Sequence, residues 1–329
     1  MSSPHRPATE PLAASAPNRW VHGLAMVLTV AVFPLIWVGG LVTTYDAGMA
    51  VPDWPGTYGW NMFAYPVSTW LFGPFDLLVE HSHRLLGSLA GLLSIGLVVA
   101  AFRYDPRPWF RWWCVGVLLA VIAQGALGGA RVVLDQRTFA MLHGCTGPLF
   151  FAIATATAVM SSAWWLAAPA GQTPVSRRLA WLATTAVGAS YLQLILGAQL
   201  RHVTATVSHA AFMGFVHSHL ALAAVVLTLG LSLALAALLG RGVPGRIRRP
   251  AGLLAAVIFV QIGLGIGTWI VNYALPWPEM TDGLAGYTIV SKGYWESLIV
   301  TAHMATGSLI IALATVASLR TWRAATSHR

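Results

Sequence analysis

Four histidines, each followed four residues on by a small residue, carry the chemistry of this chain: His83 with Gly87, His143 with Gly147, His219 with Ala223 and His303 with Gly307. Each lies near the start of a long apolar run. Each imidazole would therefore ride on a membrane helix one turn from a side chain small enough to let a flat macrocycle approach the backbone. A lone histidine in a membrane is usually a hydrogen-bonded core residue, but an ionisable group there is a functional hypothesis by default, and four in register strengthen it. Zinc favours tetrahedral clusters with cysteine or carboxylate close by. Here the histidines come singly on separate helices, a pattern suited to axial ligation of heme iron across a bundle. Two pairs, His83 with His143 and His219 with His303, would clamp two hemes near the outer leaflet.

His81 and His217 sit two positions before His83 and His219, about 200° around a helix, so the two members of each pair cannot face one heme. The small residue four positions on favours His83 and His219, while the repeated His-Ser-His leaves His217 as the alternative ligand on its helix. His22, His202 and His209 read as interfacial. Glu80, three residues before His83, shares its helix face one turn nearer the outside and would point at a heme rim. The matching position in the second half is Val216. A carboxylate in one half only marks that heme as acted upon and the other as structural or redox-active; the plainer alternative is a surface carboxylate paired with Arg84. Arg84, Arg131 and Arg201, at outer helix ends, could form bidentate pairs with heme propionates or snorkel to the interface. Cys114 and Cys145 have no metal-pair spacing and read as small core residues.

The elements that must position these groups are membrane helices. With 57% hydrophobic and 9% charged residues, a mean hydropathy of +0.69 and a single lysine in 329 positions, a soluble globule is excluded. The fold class is an all-α integral membrane protein. Eight apolar runs reach the ~20 residues a span needs, at about 20–41, 81–102, 111–131, 139–164, 178–200, 208–239, 251–272 and 296–319. Arginines gather on one side: Arg6 and Arg19, then Arg103, Arg107 and Arg111, then Arg177 and Arg178, then Arg241, Arg246, Arg248 and Arg249, and finally Arg320, Arg323 and Arg329. That side is cytoplasmic by the positive-inside rule, with both termini inside. Acids gather on the other face, at Asp46, Asp53, Asp76, Glu80, Asp135, Glu279, Asp282 and Glu296, so the net charge of +9 reflects topology and no nucleic-acid partner is implied. Residues 1–19 read as a disordered cytoplasmic tail without a cleavable signal, since the first apolar run is long enough to anchor.

An internal repeat organises the chain. The odd-numbered spans end in glycine-rich segments: Gly39-Gly40, Gln124 to Arg131, Gln193 to Arg201, and Gln261 to Gly267. Each is followed by an outer loop and a histidine-bearing span. The match of His81-Ser82-His83 with His217-Ser218-His219 points to two homologous, pseudosymmetric four-helix bundles, residues 20–170 and 171–329. The glycines serve tight helix packing, close approach of a ligand, or both.

These residues carry a resemblance. Gly39-Gly40 through Gly48, Pro52-Asp53-Trp54-Pro55, Glu80-x-x-His83-Arg84 and the later histidines are similar to the heme A synthase family over nearly the whole chain. The resemblance implies oxidation of a ring methyl of heme O to formyl, by successive hydroxylation to a geminal diol that loses water, giving heme A for terminal oxidases. It implies an N-terminal half with His83 and His143 around the substrate heme, a C-terminal half with His219 and His303 around a heme b cofactor, and Glu80 as the catalytic carboxylate. It further implies a plasma-membrane location, a heme O synthase as donor, an electron acceptor and a possible homo-oligomer. The chain departs from the family in having Thr43 where a basic residue is common, Val51 where many members have a cysteine, and Leu220 where an arginine commonly follows the third histidine. The competing reading is a diheme cytochrome passing electrons between a quinone and an outer-face partner, or a heme carrier with one exchangeable site.

Overall fold

The structure is a computed structural model that describes residues 18–167, 175–204, 206–273 and 293–325; most of the N-terminal tail, Glu279 and Asp282 lie outside these. Among the described residues ten α-helices follow one another: α1 (Arg19–Thr44), α2 (Val67–Leu71), α3 (Phe75–Tyr104), α4 (Pro108–Leu134), α5 (Arg137–Met160), α6 (Ala163–Ala167), α7 (Arg177–Arg201), α8 (His209–Leu239), α9 (Gly245–Tyr273) and α10 (Tyr294–Ala325). All but α2 and α6 are long and apolar enough to cross a membrane. The Asn18 side chain accepts from the Trp20 and Val21 amides and caps α1.

Two boundaries differ from the apolar runs. α3 begins at Phe75 rather than near residue 81, because Phe75, Leu77, Leu78 and Val79 continue the apolar run past the charged Asp76 and Glu80, neither of which breaks a helix. Glu80 and His83 are thus well inside the helix. α5 stops at Met160, where Ser161 and Ser162 turn the chain into the short α6.

α1, α3, α4 and α5 pack in a closed ring, each on the next and α5 back on α1; α7, α8, α9 and α10 do the same. The rings meet through α10 against α1 and α5, and through α5 against α7. α5 and α10 are the most buried spans. Their buried faces are rich in alanine, serine and threonine, among them Ala154, Ala158, Ala312, Ala317 and Ser308, which let backbones approach where lipid gives no hydrophobic drive. Large side chains such as Val30, Leu92, Leu119 and Phe259 face outward, as a lipid-embedded surface requires. Cys114 and Cys145 are free and buried.

Polar ties fix the junction between the rings. Arg201 Nη2 on α7 donates to Gly40 O at 3.1 Å and Thr44 Oγ1 at 2.5 Å on α1, and Thr44 Oγ1 lies 3.2 Å from Thr301 Oγ1 on α10. Arg137 on α5 donates to Val203 O at 3.2 Å. A Cβ on Gly40 would overlap Met304 of α10, so this glycine sets how closely the rings approach.

Candidate functional site

The structure brings the four histidines together in two pairs. The rings of His83 (α3) and His143 (α5) stand 6.1 Å apart between centres at 84°. Those of His219 (α8) and His303 (α10) stand 6.5 Å apart at 64°. Two imidazoles on opposite sides of one iron place their ring centres about 6.3 Å apart, given metal–nitrogen bonds of about 2.0 Å. Each gap therefore suits a single iron. Among the described residues no cluster of three or more His, Cys, Asp or Glu offers a competing metal site.

A glycine on the preceding long helix makes room for each ring. A Cβ on Gly39 (α1) would lie 2.7 Å from His83 Cε1; on Gly128 (α4), 3.1 Å from His143 Cε1; on Gly197 (α7), 3.2 Å from His219 Cε1; and on Gly265 (α9), 3.0 Å from His303 Cε1. The Nδ1 edge of each ring faces its glycine, and Nε2 is left as the freer nitrogen. His143 Nδ1 is 3.1 Å from Gln124 O and His303 Nδ1 is 3.2 Å from Gln261 O, which makes Nδ1 the protonated donor and Nε2 the metal-binding lone pair. Glutamine side chains add a second hold: Gln124 Nε2 donates to His143 O at 2.9 Å and Gln193 Nε2 to His219 O at 3.0 Å.

This alters the meaning of the small residue one turn beyond each histidine. A Cβ on Gly147 or Gly307 would sit 3.3 Å from the amide nitrogen of Gln124 or Gln261, so these glycines seat glutamines rather than open the backbone to a macrocycle. Gly87, by contrast, faces open space. The signal that escaped the sequence reading is a Gln-x-x-x-Gly spacing in three odd spans, at Gln124–Gly128, Gln193–Gly197 and Gln261–Gly265, with Leu35–Gly39 as its fourth counterpart.

The two His-Ser-His segments are used differently. His81 is fully buried, 3.2 Å from Thr57 Oγ1 through Nδ1 and packed on Trp70 and Tyr65 with ring centres 4.9 and 5.5 Å away. It fastens the segment between α1 and α3. His217 is exposed, whereas His219 faces His303.

Glu80 is buried at 4% exposure. It is no surface carboxylate, yet it does pair with Arg84: Oε1 accepts from Arg84 Nε at 3.1 Å and Nη2 at 3.0 Å. Oε2 makes no hydrogen bond and lies 3.8 Å from Arg131 Nη2. Arg84 spends its remaining N–H groups on loop carbonyls, Nη1 on Asp53 O (2.6 Å) and Gly56 O (2.8 Å), and Nη2 on Val51 O (2.7 Å). All five donors of its guanidinium are engaged, so it offers none to a propionate. Its role in the structure is to staple the Pro52-Asp53-Trp54-Pro55 loop above Glu80.

That loop closes the end of the first ring. The Trp54 indole packs on Gly129, where a Cβ would come within 2.5 Å of Cδ2, and the Arg131 guanidinium fills the place a Cβ on Gly48 would take. Asp53 accepts from the Tyr58 and Gly59 amides at 2.7 and 2.9 Å. Partial burial raises its pKa, but these two bonds and the nearby Arg84 charge outweigh that and hold the carboxyl below its ordinary value.

Arg131 and Arg201 converge near the junction of the rings. Burial first, then the charges of Arg201, Arg131 and Arg137, hold His202 down to about 4, so it is neutral beside three guanidiniums. Arg201 Nε is buried without a partner, and Arg131 makes a long pair of 3.8 Å to Glu80. The arrangement offers a cationic seat for carboxylates, and with the imidazole pairs and Nδ1 anchoring it fits the chemistry of heme.

The family model described as COX15-CtaA, cytochrome oxidase assembly protein, matches residues 22–216. The chain belongs to this family. The match includes α1, the capping loop, Glu80, His83 and His143, and ends just before His219. Among curated relatives of this family member, the heme A synthase of Methylobacterium radiotolerans is 29% identical over 170 residues, 49% of this chain and 45% of the relative. That of Symbiobacterium thermophilum is 29% identical over 186 residues, 54% of this chain and 58% of the relative. That of Lysinibacillus sphaericus is 24% identical over 198 residues, 56% and 59% respectively. The chain spans about half the length of the curated relatives it matches.

Proposed function

We propose that this protein is a heme A synthase, an oxidoreductase that takes heme O as substrate and oxidises one ring methyl to the formyl group of heme A. The observation that carries the reading is the asymmetry of two otherwise similar histidine pairs: the His83–His143 pair has a buried carboxylate with a free oxygen beside it, and the His219–His303 pair has Val216 in that place. An electron-relaying diheme cytochrome has no use for a buried carboxylate in one half only.

In this reading residues 20–170 form the substrate half and 171–329 hold a heme b, whose iron supplies one-electron redox chemistry when bound. His83 and His143 centre the substrate and His219 and His303 the cofactor. Arg131 and Arg201 neutralise propionates. Glu80 takes and returns protons through Oε2, while Arg84 holds Oε1 and so fixes where Oε2 points. Trp54 and the stapled loop keep water from reaching the site freely. Burying a carboxylate is costly unless it is paired, and the pairing with Arg84 through one oxygen alone leaves the other available for chemistry. The protein would lie in the plasma membrane with both termini cytoplasmic and receive its substrate from a heme O synthase.

The test is Glu80→Gln in protein supplied with heme O. It preserves shape and heme content while removing proton transfer, so heme A formation should fall by about a hundredfold or more and heme O or its hydroxylated form should accumulate, read by chromatography of extracted pigments. Heme A made at the normal rate by this variant would overturn the reading.

A further inference from the structure

The four histidines are not held alike. His143 has both an Nδ1 bond to Gln124 O and the Gln124 amide on its own carbonyl. His303 keeps an Nδ1 bond to Gln261 O; His219 keeps the Gln193 amide on its main-chain carbonyl, although its Nδ1, like that of His83, is buried without a hydrogen bond. His83 has neither: its Nδ1 is buried without a hydrogen bond, and Leu35 stands where the other odd spans carry glutamine. The Leu35 carbonyl lies beside the ring but does not reach the geometry that His143 and His303 meet. Nothing blocks a glutamine there, since Gly87, the counterpart of the glycines that seat Gln124 and Gln261, faces open space.

A carbonyl on Nδ1–H raises the basicity of an imidazole ligand and fixes its ring, and removing such a partner typically costs ten- to a hundredfold in metal affinity. We propose that His83 is the exchangeable axial ligand, the one that releases iron when substrate enters and product leaves, with His143 as the fixed anchor and Leu35 as the residue that withholds from the His83 carbonyl the amide bond that Gln124 gives His143. This rests on the substrate half being the one around His83. In the second ring His303 keeps the Nδ1 bond and the Gln193 amide restrains the helix turn that carries His219, so each ligand has a glutamine hold of a kind that His83 lacks. A site that must turn over needs one weak ligand, so that the iron becomes five-coordinate before the macrocycle departs. The unlatched histidine is also the one that shares its helix with Glu80, which places ligand release and proton chemistry on the same element.

The test uses the full-length protein loaded with heme O and heme b, with each pigment identified after extraction. Its readouts are heme transfer to excess apomyoglobin and uptake of cyanide as an exogenous sixth ligand. Leu35→Gln should slow loss of heme O about fivefold, the effect of one net hydrogen bond, and reduce cyanide uptake at that site while heme b loss is unchanged. Gln124→Leu should raise cyanide uptake at the same site, and Gln193→Leu should speed heme b loss about fivefold, a control that holds even if Leu35→Gln fails to fold. Unchanged heme O loss and cyanide uptake in a folded, fully loaded Leu35→Gln protein would overturn the proposal, as would unchanged heme b loss in Gln193→Leu. If His83→Ala and His143→Ala both kept all their heme O, the fault would lie with the assignment of the substrate half and not with the ranking of its ligands.

Discussion

Around His83 and His143 a segment from residue 45 to 74 folds over the end of the ring, stapled by Arg84 and weighted by Trp54. Around His219 and His303 the link from α7 to α8 runs only from residue 202 to 208. The scaffold under both is the same in kind: a glycine under each imidazole, glutamines on three of the four histidines, and a closed ring of four helices. What separates the halves is one carboxylate, one arginine and the loop they hold. In the proposed function, ligation rests on the shared scaffold and reactivity on the loop and carboxylate of the first ring. Val216 and Leu220 in the second ring occupy the positions of Glu80 and Arg84, and Leu220 is exposed, so the staple that Arg84 makes has no counterpart at that position.

The largest expected effects break the comparison at its metals. Alanine at His219 or His303 should empty the second ring of heme b nearly completely and leave the first ring's pigment, and alanine at His83 or His143 should do the converse, measured by pyridine hemochrome spectra of purified protein. Equal loss of both pigments in every variant would show that the rings are not separate sites. An intermediate effect tests the cap: Arg84→Ala leaves Glu80 buried with only its 3.8 Å pair to Arg131 and frees three loop carbonyls, at a cost of about 3 kcal/mol. Leu220→Ala, at the matching exposed position, should cost less than about 0.5 kcal/mol. Thermal unfolding in detergent would separate the two, and equal shifts would refute the role given to Arg84. The smallest effect concerns Asp53. Its folded pKa is depressed, so its contribution to holding the loop is complete above its ordinary value near 4 and is lost as pH falls through the lower folded value. Acid should therefore loosen the Trp54 loop before it disturbs the second ring, and Asp53→Asn should remove that step, followed by tryptophan fluorescence.

Much of the site was legible in the chain because helical spacing is local. That His83 shares a face with Glu80, and that His81 and His83 cannot face one heme, follow from 3.6 residues per turn, and the membrane class follows from composition. The small residues after the histidines were legible as a pattern but not in meaning, since Gly147 and Gly307 serve glutamines that lie 23 and 46 positions earlier in the chain. Arg84 looked like an anion binder at a helix end. The structure commits all its donors to a loop 28 to 33 residues away.

The sequence by itself determined the bilayer as solvent, the number of spans, the four histidines on separate helices and the single carboxylate that breaks the repeat, because hydropathy, periodicity and residue type are read along one strand of chain. Only the tertiary structure decided that His83 meets His143 and His219 meets His303 at iron-binding separation, that Glu80 is buried with one oxygen hydrogen-bonded and the other not, and that His143, His219 and His303 each carry a glutamine hold while His83 carries none. Those outcomes depend on where a neighbouring helix stands to within a few tenths of an ångström. That position is set by the packing of small side chains across spans far apart in sequence.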